Sequence, residues 1–200
     1  MNKLFALILV LAMALSMAAC TSNKPTETTT APTTEATTEA TTEPAVVIES
    51  ATEILENGWA LFGEDEKFFT MGGDYEAMVD NAPGAVKDTG FMNGTLLVPE
   101  AELANVTDCA SLVHGMMLNN FTFGAYHVTG DVAAFVEAMH TAITGNRWMC
   151  GMPEKLIIAV VGGEYVVAGF GINDAVAPFE AAFTATYPDA EMKYNEAITG

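Results

Sequence analysis

Residues 21–45, TSNKPTETTTAPTTEATTEATTEPA, carry 11 Thr, four Glu and no aromatic or large aliphatic side chain, so they cannot contribute to a core. Thr, Pro and like-charged Glu favour an extended, solvated chain, which predicts a stalk reaching about 75 Å if polyproline-like at ~3.1 Å per residue. Ahead of it, Lys3 supplies a positive start, and Leu4 to Ala19 is an uncharged run of 16 residues. That run is shorter than the ~20 residues a membrane-spanning helix needs. It reads as a removable leader over residues 1–19. Folding is thereby confined to residues 46–200, enough for a single domain that buries roughly two-thirds of its unfolded surface.

The end of the leader, Leu15-Ser-Met-Ala-Ala-Cys20, resembles the lipobox of bacterial lipoproteins, with Met17 in place of the usual Leu. The resemblance implies that Cys20 becomes the mature N-terminus and carries a diacylglyceryl group. Two or more acyl chains would then hold the protein firmly at the extracytoplasmic face of the cell membrane.

Charge narrows the partners. Of the 26 acidic residues, 22 fall in residues 46–200, against five basic ones. Too few Lys and Arg remain to neutralise phosphates, which argues against nucleic acid and against adsorption to an anionic lipid surface. A mean hydropathy of +0.28 and 50% hydrophobic residues still supply a core.

Patterning within the domain predicts the order α-β-α-β-α-β-β-α. Apolar positions at Val47, Ile48, Ala51, Ile54, Leu55, Trp59 and Phe62 are helically spaced. A Gly-rich, turn-like stretch over 71–90 follows, and Phe91 to Val98 reads as a strand stopped by Pro99. Asp108 is expected to cap a helix burying Leu112, Val113, Met116 and Met117, before a strand at 121–128. Asp131 caps the clearest helix, with Val132, Phe135, Val136, Met139 and Ile143 on one face and Gly145 at its end. Lys155–Val161 and Glu164–Phe170 flank Gly162-Gly163, the signature of a tight hairpin. A helix from Asn173 or Asp174 past Pro178, and a weak strand at 191–195, complete an α+β domain: a mainly antiparallel sheet with helices packed on it. Aligning Asp108 with Asp131 places Ala110 on Ala133, Val113 on Val136 and Met116 on Met139, which shared amphipathic patterning explains and an internal duplication would also give.

The candidate chemistry is sparse. Cys109 and Cys150 are the only cysteines after Cys20, and in an exported domain they could pair; spacing alone leaves both a disulfide and two free thiols open. His114, His127 and His140 lack metal-motif spacing. The acids Glu64, Asp65, Glu66, Asp74, Glu76 and Asp80 allow calcium but follow no calcium-loop pattern, so a solvated acidic loop is expected and no metal or cofactor is assigned. No nucleophile elbow, zinc-helix or phosphate-loop motif is present. The loop Gly145–Pro153 holds the only Arg, Arg147, beside Trp148, two residue types enriched in recognition hot spots. The competing expectation has Trp148 and Met149 closing the core edge while Arg147 pairs with carboxylates.

The alternating helices and strands, the loop with Trp148 and Pro153, and the hairpin Lys155-Leu-Ile-Ile-Ala-Val-Val-Gly-Gly-Glu-Tyr-Val-Val resemble an uncharacterised family of small lipoproteins from Gram-positive, gut-type bacteria. The resemblance spans roughly residues 70 to 172. It implies a lipobox, a Thr-rich stalk and one α+β domain of unknown function, and it brings no catalytic residue with it. The expectation is a non-enzymatic module binding a small molecule or a protein outside the membrane. The alternatives are an accessory structural subunit of a cell-envelope complex and, third, a hydrolase built on paired carboxylates.

Overall fold

The structure, a computed structural model, describes residues 47–199; the expected leader, Cys20 and the expected stalk lie outside the described residues. Helix α1 (Ala51–Ala60) leads through three short strands, β1 (Thr70–Gly72), β2 (Val79–Asp80) and β3 (Gly84–Ala85), to helix α2 (Thr89–Gly94). Next come β4 (Val106–His114), β5 (Phe121–Val128) and α3 (Val132–Thr144). The hairpin β6 (Lys155–Val161) and β7 (Tyr165–Gly171), helix α4 (Asn173–Thr186) and β8 (Glu191–Ala197) follow. Every pairing is antiparallel, and the eight strands form one sheet ordered β2-β1-β4-β5-β7-β6-β8, with β3 also beside β4. The class is α+β.

Helices cover both faces of this sheet. On one, Ile54, Leu55 and Trp59 of α1 and Phe179 and Phe183 of α4 pack with Leu112, Phe121, Phe123 and Ile157. On the other, Phe91 of α2 and Phe135, Met139 and Ile143 of α3 pack with Val113, Tyr126, Ile158 and Phe170. Burying a side chain of this size stabilises the fold by about 1.5–3 kcal/mol, so these two layers supply most of the driving force. Two-sided burial also explains why Leu156 to Val161 is an unbroken buried run with no polar alternation.

Local chemistry sets the helix ends. Ser50 Oγ accepts the Glu53 amide at 3.2 Å to start α1, and Asp131 Oδ1 accepts the Ala134 amide at 3.0 Å to start α3. Gly162 and Gly163 hold positive φ angles of 61° and 82°, as the predicted β6–β7 hairpin requires. Helix α4 begins at Asn173 and carries Pro178 inside it.

Two predicted elements are corrected. Phe91–Val98 is not a strand: Asp88 Oδ1 accepts the Phe91 amide at 2.6 Å and starts α2, which ends at Gly94 before an irregular segment where Leu97 has a φ of 59°. The residues around Asp108 are not a helix but β4, whose Ala110–Val113 are buried from both sides. A strand without alternation imitates helical spacing, and its apolar residues alone cannot separate the two. Asp108 and Asp131 therefore occupy different structures and mark no repeat. The stretch read as turns contains β1, β2 and β3, folded around the buried carboxylate of Asp74.

Candidate functional site

At one end of the sheet, Phe121 of β5 pairs with Gly171 of β7, which pairs with Lys155 of β6. The β4–β5 connection, 115–120, and the loop 145–154 ahead of β6 therefore emerge side by side. Asn119 fastens them: its Nδ2 donates to the carbonyl of Met149 at 2.8 Å and to that of Gly151 at 2.7 Å. Between the two loops lies a pocket of about 250 Å³ lined by Met116, Met117, Leu118, Asn119, Met149 and Cys150. Met116 is 79% exposed and Met149 74%, and Met152 on the same loop is also exposed.

His114, the last residue of β4, positions the first of these loops. Its Nδ1 accepts the backbone amides of Met116 at 3.1 Å and Met117 at 3.2 Å. Accepting at Nδ1 assigns the proton of the neutral ring to Nε2. The ring stacks on Phe68 with centroids 5.1 Å apart, and burial lowers its pKa, favouring the same neutral form.

The second loop contains the residues singled out in the sequence. Trp148 packs on Phe170 with centroids 4.9 Å apart, closing the core edge, and its Nε1 is buried without a hydrogen-bond partner among the described residues. Met149 does not join it in the core. Arg147 is exposed and makes no ion pair among the described residues, so the expected carboxylate pairing does not form. Cys150 is exposed, with a left-handed φ of 63°.

Cys109 and Cys150 are both free thiols, so the disulfide that spacing left open is absent. Cys109 is buried within β4, and burial pushes its thiol far above the usual range, with Asp108 and Asp74 adding to the effect. A thiol so reluctant to ionise is a poor nucleophile. The histidines do not converge: His127 Nδ1 lies 2.7 Å from Thr107 Oγ1, and His140 Nε2 lies 2.7 Å from Glu196 Oε1.

The acidic cluster divides in two. Glu64–Glu66 form an exposed single turn in which Glu64 pairs with Lys67. Asp74 turns inward, accepting the amides of Lys87 (2.7 Å), Asp88 (2.9 Å), Glu76 (3.1 Å) and Ala77 (3.3 Å). Those bonds hold its pKa below the usual carboxylate range against the opposing effect of burial. Among the described residues, no group of three or more His, Cys, Asp and Glu is placed to hold an ion.

The pocket thus joins a loop that the sequence singled out to one that it hid. Met116 and Met117 were expected on a buried helix face, and they are exposed because β4 ends at His114. The available signal was His114-Gly115, a break followed by two flexible apolar residues. No protein-family model, no curated protein and no solved structure matches the chain.

Proposed function

We propose that this protein is a lipid-anchored extracytoplasmic binding module, attached through Cys20 and held clear of the membrane by the stalk over 21–45. The leader, the lipobox-like hexapeptide and the stalk support the anchored reading. The observation that carries the binding assignment is the methionine-lined pocket, built from two loops that Asn119 fastens together. Thioether side chains are flexible and polarizable and recur at binding surfaces. Three of the groups that could do covalent or acid–base work are occupied structurally: Asp74 by four amides, His114 by two, and Cys109 by burial.

Two experiments test this reading. Cys20→Ala should leave the protein unprocessed or release it into the medium, whereas a processed variant still held at the membrane would overturn the anchor. A thermal-shift scan against metal ions, amino acids, sugars, peptides and wall fragments should give a saturable rise in Tm with one class of compound. That rise should vanish when Met116, Met117 and Met149 are replaced by Leu. A flat scan would move the assignment to an accessory subunit of an envelope complex. That second reading is favoured by the exposed apolar strip Tyr75, Met78 and Val79 at the β2 edge of the sheet, and crosslinking in the intact envelope would test it.

A further inference from the structure

The lining of the pocket names a ligand class. Three methionines, Met116, Met117 and Met149, and the exposed Cys150 are among the residues that line it, with no Asp, Glu or His in the lining. Sulfur donors are soft; they select monovalent copper over the hard ions that oxygen ligands hold. We infer that this pocket binds one Cu(I) ion through the sulfur atoms of Met116, Met117, Met149 and Cys150.

Binding replaces the Cys150 S–H bond by a sulfur–copper bond and releases the proton to solvent. The copper stays Cu(I) throughout, so no oxidant or reductant is consumed. The scaffold is arranged before the ion arrives: His114 Nδ1 holds the amides of Met116 and Met117, and Asn119 holds the carbonyls on either side of Cys150. Ordering two loops is the main entropic penalty of closing such a site, and these four bonds have already met much of it. The 22 acidic side chains of residues 46–200 also place the pocket in a negative field that draws cations. The inference rests on the binding-module reading and supplies its ligand.

The test is an anaerobic titration of the full chain carrying Cys20→Ala, which removes the one other thiol outside the buried Cys109. Cu(I) is delivered as its complex with bicinchoninate, a coloured chelator. The chain should withdraw one equivalent of Cu(I), and that equivalent should slow alkylation of Cys150 by iodoacetamide at least tenfold. Replacing Met116, Met117 and Met149 together by Leu should weaken binding at least tenfold, and so should Cys150→Ser. All four positions are exposed, so these variants should keep the parent's Tm. Failure to take one equivalent from the chelator would overturn the inference, as would undiminished binding by the triple Leu variant. If Cu(I) fails but another compound raises the Tm in a way the triple variant abolishes, copper is wrong and the binding module stands. If Cu(I) and the whole compound panel fail together, both fall.

Discussion

Asp108 Oδ2, on β4, accepts the backbone amide of Ala51, the first residue of α1, at 2.7 Å. The same aspartate reads in the sequence as the cap of a helix that begins at its own position. It does cap a helix, but one 57 residues away in the chain. With Ser50 Oγ on the Glu53 amide, the two side chains satisfy two of the four unpaired donors at the start of α1.

Asp108→Ala should therefore lower stability by about 1 kcal/mol, the usual cost of a lost N-cap, and Asp108→Asn by less. Urea unfolding at neutral pH measures both. An unchanged midpoint in the Ala variant would show that this bond contributes nothing.

Asp74 is the acid-sensitive point of the fold. Its folded pKa is depressed, chiefly by the amides of Lys87 and Asp88, so its contribution is complete above the unfolded value of about 3.9. The contribution is lost as pH falls through the lower folded value. Asp74→Ala strands four amides and should cost about 2–3 kcal/mol at neutral pH. Melting temperature against pH should also decline less steeply below about pH 4 in this variant than in the parent.

His114 acts in the same direction at a higher pH. Burial lowers its folded pKa, so the stability it provides is whole above about 6.5, the unfolded value, and is lost as pH falls through the folded one. Its ring-carbon NMR resonance should titrate at a lower pH in the folded chain than in the urea-unfolded chain. His114→Phe keeps an aromatic ring beside Phe68 but removes the acceptor. Hydrogen exchange at the Met116 and Met117 amides should quicken by about fivefold, corresponding to ~1 kcal/mol for a lost hydrogen bond.

Gly163 turns the β6–β7 hairpin at a φ of 82°, and a Cβ added there would meet no atom within 4 Å. Gly163→Ala thus isolates the backbone cost, about 1–2 kcal/mol for a left-handed L-residue. Gly163→Asn should recover part of it, since Asn tolerates that conformation. Equal midpoints for the three proteins in urea would refute the strain.

Much of the fold was legible because its signals were local. Asp131 with Gly145 bounds α3, and Gly162-Gly163 joins two apolar runs, each readable within a dozen residues. The two misassigned elements failed for a common reason. In Cys109–Val113, burial on both faces removes the alternation that marks a strand. In Phe91–Val98, the hydrophobic residues that resembled a strand belong partly to a six-residue helix and partly to the irregular turn after it. The site was half legible: Arg147, Trp148 and Cys150 stand in a conspicuous loop, whereas Met116 and Met117 depend on where β4 stops. Their partnership with that loop arises from Phe121, Gly171 and Lys155 sitting in register across three strands, a relation no local pattern encodes.

The register has a further consequence for orientation. A Cβ at Gly162 would lie 3.3 Å from Ile48 Cδ1, so the first described residues lie against the hairpin turn, at the opposite pole from Met116 and Met149. The eight residues of β5 set the two poles roughly 25 Å apart, at ~3.4 Å per residue. The hairpin turn, beside the start of the described residues, and the sulfur-lined pole thus occupy opposite ends of the sheet. A fluorophore on the exposed Cys150 would report on the pole farthest from that turn and leave the hairpin end untouched.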